Sequence, residues 1–142
     1  MEALTDPERS ALLEELARGR FGSGLADAPA GPEARRRSPV CGDEFTVRLV
    51  VAGDAIASLH WDGHGCVVST AAAALLAELA VGVATAEFPA LAASYLESVQ
   101  ADGRPVPELG DAEVFAGIGR YPLRAGCASL AWRAALEALG SV

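Results

Sequence analysis

Between residues 44 and 52 apolar and polar side chains alternate, Phe45, Val47, Leu49 and Val51 against Thr46 and Arg48, which is the period-2 mark of a half-buried strand. Gly53-Asp54 supplies turn chemistry, and residues 55–62 read as the returning strand of a hairpin. The period then changes. Residues 67–81, rich in alanine and leucine and closed by Gly82, predict a helix. A further helix is predicted from about 86 to 100, where Phe88, Leu91, Tyr95, Leu96 and Val99 fall near one stripe. Asp102 to Pro107 breaks it with a glycine and two prolines. A short helix follows at about 111–116. Pro122 then opens a last helix to about 139, with Leu130, Ala134 and either Leu136 or Ala138 as its buried stripe. At the front, Thr5 and Glu8 with Pro7 between them predict a helix start, and that helix runs to about Arg18. Residues 19–39 show no sustained period and read as a long connection holding one short strand near 24–28.

These elements predict an α+β fold, a small antiparallel sheet with helices packed on one side. With 142 residues the chain is expected to form a single domain, residues 1–38 being the N-terminal helix and an irregular connection and 39–142 a metal-binding core. The apolar run 67–77 ends at Glu78, well short of the roughly 20 residues of a membrane span. The N-terminus is acidic where a secretory signal would be basic and then apolar. A cytoplasmic protein away from membranes is the expectation. The net charge is −8 and all 11 basic residues are arginine, which argues against nucleic acid as a partner, since phosphate affinity rests on displacing counterions with cations. Arg35-Arg36-Arg37 is expected in a solvated loop, with docking of an acidic partner as the alternative.

The chemistry lies with three cysteines, in Cys41-Gly42-Asp43, Gly63-His64-Gly65-Cys66 and Arg124-Ala125-Gly126-Cys127. An odd number with no leader argues for reduced thiols. The hairpin brings the first two motifs to one end of the sheet, and Cys66 and Cys127 fall at helix starts, where free N–H groups favour anionic sulfur, the form that binds metal. Cys41, Asp43, Cys66 and Cys127 make an S3O set suited to tetrahedral zinc or to a cluster with one non-cysteine ligand. His64 is the alternative fourth ligand. Asp43 is preferred because Cys-Gly-Asp ties the carboxylate to a sulfur two residues away. Arg124, three residues before Cys127, can offset the excess negative charge of such a centre. His60 is expected on the exposed side of the sheet, and Trp61 and Trp132 in the core. Other chemistries lack their residues: a phosphate loop needs lysine, no serine has a Gly-x-Ser-x-Gly setting, and a Cys-His hydrolase would depend on His64 alone.

Four segments together resemble the U-type iron-sulfur cluster assembly proteins: Ser38-Pro39-Val40-Cys41-Gly42-Asp43, Gly63-His64-Gly65-Cys66-Val67-Val68-Ser69-Thr70-Ala71, Leu109-Gly110-Asp111, and the stretch from Arg120 through Tyr121, Pro122, Leu123 and Arg124 to Cys127, Leu130 and Trp132. Within that family the SufU branch is favoured over the IscU branch. IscU-like proteins carry histidine immediately before the third cysteine, where Gly126 stands here, and the segment between the second and third cysteines is long, as in SufU-like proteins. The front segment, Leu16 to Gly22, departs from the family's Asn-Pro-Arg-like pattern. The resemblance implies Zn2+ held by Cys41, Asp43, Cys66 and Cys127, and a zinc-dependent sulfurtransferase that takes persulfide sulfur from a SufS-type pyridoxal-phosphate cysteine desulfurase for downstream iron-sulfur scaffold proteins. Cys41 corresponds to the family's sulfur acceptor and Arg124 to its basic residue. The alternative is a scaffold that binds iron or a 2Fe-2S cluster on the same ligands.

Overall fold

The computed structural model describes residues 6–39, 42–121 and 123–140. In chain order the elements are α1 (Asp6–Gly19), β1 (Glu33–Arg37), β2 (Glu44–Ala52), β3 (Ala55–His64), α2 (Val67–Ala80), α3 (Phe88–Ser98) and α4 (Arg124–Gly140), with two 3-10 segments, Pro107–Phe115 and Ile118–Arg120, before α4. The strands form one antiparallel sheet in the order β1-β2-β3. Thr5 and Pro122, expected at two helix starts, lie outside the described residues.

The β2 alternation buries Phe45, Val47 and Leu49 completely, and β3 meets them with Ile56, Leu59 and Trp61. The inward residues of β3 skip a position between Ile56 and Leu59 because the pairing shifts at Val50/Val51, leaving Ala57 as the extra residue of a bulge. Onto this face pack α2 and α4. α2 is central, buried at 11 of its 14 residues, and its alanines are small enough to let α1, β3 and α4 approach it from several sides. α1 closes the far side of α2 with Leu13, flanked by the half-buried Leu12, Leu16 and Ala17. Of the two alternatives for the α4 stripe, Ala138 is fully buried and Leu136 is half-buried.

Three expectations need correction. Arg35, Arg36 and Arg37 do not sit in a loop; they belong to β1, which pairs with β2 from Glu33 opposite Arg48 to Arg37 opposite Glu44. The stretch 1–38 thus contributes a strand to the sheet. No strand forms at 24–28. The chain instead runs beside β3 at residues 22–24, where the Gly24 N–H donates to the Trp61 carbonyl and the Trp61 N–H to the Gly22 carbonyl. Only glycine fits at position 22, with φ 82° and a Cβ that would lie 2.5 Å from that of Ala77. From the outer face of β2, Arg48 fastens residues 25–28, donating to the Leu25 and Ala28 carbonyls while paired with Glu33 at 2.8 Å. Finally, the short helix expected at 111–116 is a 3-10 segment beginning at Pro107 and kinked at Gly110, where φ is 53°.

Candidate metal centre

Glu44 stands opposite His64 in the β2–β3 register, so Gly42-Asp43 and Gly65-Cys66 leave the sheet at the same end. Asp43 is buried there at 8% exposure. Cys66 is the N-cap of α2: its backbone is extended (φ −70°, ψ 172°), and its Sγ accepts the Ser69 N–H at 3.5 Å, the role that a serine or aspartate oxygen usually fills. The positive end of the helix therefore faces this sulfur. Cys127 is the fourth residue of α4 and buried; its N–H donates to the Leu123 carbonyl at 3.1 Å, so it sits inside the first turn and not at the cap.

The carboxylate is held by α2. Ser69 Oγ donates to Asp43 Oδ2 at 2.8 Å, and the Cys66 N–H donates to the same oxygen at 3.2 Å. Gly65 makes the approach possible. A Cβ there would lie 2.9 Å from Asp43 Oδ2 and press on Ser69 Oγ. The α4 side is held from behind by α3: Tyr95 Oη donates to the Ala128 carbonyl at 2.7 Å, and its ring stacks on Trp132 with centroids 4.0 Å apart.

One ligand atom from each of Asp43, Cys66 and Cys127 lies within 4.8 Å of the other two. Around tetrahedral zinc, thiolate and carboxylate donors stand about 3.5 to 3.8 Å apart, so small side-chain rotations bring the trio to that spacing. Two sulfurs and one carboxylate oxygen are a donor set that zinc accepts, and the residues present fit the metal. They leave a fourth position open to another ligand.

Of the residues singled out from the sequence, Asp43, Cys66 and Cys127 come together, and Cys41 lies outside the described residues. His64 is exposed at the end of β3 and does not join the group. Arg124 is the first residue of α4, exposed and three positions before Cys127. Gly126 is exposed, with open space where a side chain would project. His60 is half-buried, 3.0 Å from Ser58 Oγ, and both tryptophans are fully buried. Sequence reasoning missed Ser69. The signal was there in Cys-x-x-Ser at a helix start, where a side chain three residues past the cap points back at the cap.

Comparisons with known proteins agree with this architecture. Residues 6–128 match the family described as NifU-like N terminal domain. The iron-sulfur cluster assembly scaffold protein IscU of Streptococcus pyogenes serotype M1 is 36% identical over 103 residues, 72% of this chain and 65% of the relative, so the chain spans just under two thirds of that protein. The zinc-dependent sulfurtransferase SufU of Bacillus subtilis (strain 168) is 30% identical over 102 residues, 68% of this chain and 67% of its own. A solved structure described as a hypothetical protein superposes with a TM-score of 0.83 at 28% identity, covering 96% of this chain and 99% of the other.

Proposed function

Because the chain belongs to the NifU-like N-terminal domain family, we propose that it is a cytoplasmic iron-sulfur cluster assembly protein that accepts sulfur from a SufS-type pyridoxal-phosphate cysteine desulfurase, with zinc held by Cys41, Asp43, Cys66 and Cys127. The observation that carries this reading is the convergence of Asp43, Cys66 and Cys127 within 4.8 Å at one end of the sheet. Bound zinc would supply a Lewis-acid centre that keeps its sulfur ligands as ordered thiolates.

The chain's own residues account for the transfer. The Cys41 thiolate attacks the outer sulfur of the donor's cysteine persulfide. One S–S bond forms as the donor's S–S bond breaks, the donor cysteine leaves as a thiolate, and the outer sulfur ends as a persulfide on Cys41 with no net oxidation. Arg124, always charged and three positions before Cys127, would steady the anionic sulfur. Cys66 and Cys127, anchored by the first turns of α2 and α4, keep their places while Cys41 reacts. Delivery of the bound sulfur to a downstream iron-sulfur scaffold completes the role.

A second reading, a scaffold that assembles a 2Fe-2S cluster on the same residues, draws support from the relative named as an IscU scaffold. Against it stands Gly126, which offers no imidazole beside Cys127. Zinc and iron content, measured together with desulfurase turnover, separate the two. The zinc-bound protein is expected to raise turnover, and Cys41→Ala to abolish the increase. Absence of stimulation combined with stable cluster assembly would contradict the transfer role.

A further inference from the structure

The hydroxyl of Ser69 lies where three parts of the site meet. It donates to Asp43 Oδ2 at 2.8 Å, stands 3.4 Å from Cys66 Sγ and 3.1 Å from the Cys66 carbonyl, and is almost wholly buried. The same residue's N–H donates to Cys66 Sγ. A single residue in the first turn of α2 thus contacts both the sulfur that caps the helix and the carboxylate delivered from the β2 end of the hairpin. Asp43 stands between Gly42, a left-handed residue with φ 76°, and the start of β2, and its carbonyl accepts the Ser38 N–H at 2.8 Å, so its own segment fixes the backbone while the carboxylate is anchored from α2. Donors on Oδ2 come from the start of α2, one from Ser69 and one from the N–H of the N-cap Cys66.

From this geometry we infer that Ser69 is a positioning residue: its hydroxyl orients the Asp43 carboxylate beside Cys66 and Cys127 and so sets how tightly the site holds a divalent metal. The inference rests on the reading of Asp43 as a ligand and adds a residue to it. The physical reason is the cost of ordering. A carboxylate fixed before the metal arrives gives up no rotamer freedom on binding, and a hydrogen-bonded ligand keeps its orientation, which is why partners of metal ligands commonly affect affinity by about 10- to 100-fold. A plain packing role would need only the volume of the side chain. The bond to Oδ2 needs the oxygen.

Four forms of the full chain test this: the native sequence, Ser69→Ala, Asp43→Ala and the double variant. Zinc affinity is read by competition with a chromogenic chelator, the thiolate-to-metal absorption of the cobalt-substituted protein reports ligand geometry, and urea unfolding of the metal-free forms reports stability. Ser69→Ala is expected to weaken zinc binding about 10- to 100-fold and to alter the cobalt spectrum. In the Asp43→Ala background the same change should cost less than about threefold, because the residue it acts through is gone. The inference is overturned if Ser69→Ala binds zinc as tightly as the native chain, if the loss is equal with and without Asp43, or if it merely follows a matching loss of metal-free stability. A native chain that binds no zinc would instead overturn the proposed function, so the two failures are told apart.

Discussion

Tyr95 shows how one buried side chain can link the core to the site. Its ring is fully buried between Trp132 and Phe115, and its hydroxyl donates to the carbonyl of Ala128, the residue after Cys127. Burial raises its pKa well above the ordinary 10.0. In the unfolded chain the phenol ionises near pH 10, whereas in the folded chain it stays neutral. The stability linked to Tyr95 is therefore fully present below about pH 10 and is lost as pH rises from there towards the folded-state pKa. Tyr95→Phe is expected to cost about 1 kcal/mol near neutral pH, through the lost hydrogen bond, and to unfold less readily than the native chain's own trend predicts as pH rises to about 11. Urea midpoints at the two pH values check both parts. The sequence pointed to Asp43 through Cys-Gly-Asp, and its carboxylate does come within 4.8 Å of Cys66 and Cys127. Cys-x-x-Ser marked Ser69 as facing the helix cap, but its bond to Asp43 was not legible, because that link spans 26 residues and exists only once β3 and α2 are in place.

At the scale of elements, the hairpin determines where the site forms, and Gly63 is its most constrained point. Its φ is 150°, and a Cβ there would press on the Glu44 carbonyl and lie 2.8 Å from Phe45 Cα, across the strand pair. Gly63→Ala is expected to destabilise the protein by about 2 to 4 kcal/mol and to weaken metal binding, since separating β2 from β3 at this end moves Asp43 from Cys66. Urea denaturation and chelator competition measure the two effects. β2 could be read from the chain because one of its faces is apolar at every second position. β1 could not: Glu33-Ala34-Arg35-Arg36-Arg37 has a single apolar residue, half-buried, and its strand character comes from backbone pairing with β2, to which the exposed Arg35–Glu44 and Arg36–Glu137 ion pairs add little. An edge strand rich in charge also resists pairing with another copy. The 3-10 segments were obscured by a similar mismatch, since prolines and Gly110 dictate the path from 107 to 115 while burial of Leu109, Val114 and Phe115 resembles that of a helix.

On the scale of the whole molecule, the candidate site joins Asp43, residues 65–69 and Cys127, far apart in sequence, over one continuous apolar core. Of the described residues, the largest buried side chains, Trp61, Trp132, Tyr95, Phe45 and Phe88, pack together with the alanines of α2 in one continuous cluster. Metal removal is therefore expected to leave a cooperatively folded chain with its near-ultraviolet circular dichroism intact. Zinc at a hundredfold excess over its dissociation constant should then add about 2.7 kcal/mol of stability to the metal-free form, and Asp43→Ala should gain less. Calorimetry with and without chelator tests this. Whether Cys41 acts as a sulfur acceptor is read from the peptide-level mass of the zinc-bound chain after exposure to a cysteine desulfurase and free cysteine. The account predicts one added sulfur atom on the peptide containing Cys41, with Cys66 and Cys127 unmodified. Sulfur on Cys66 or Cys127 alone, or none on any of the three while a cluster accumulates, would contradict it.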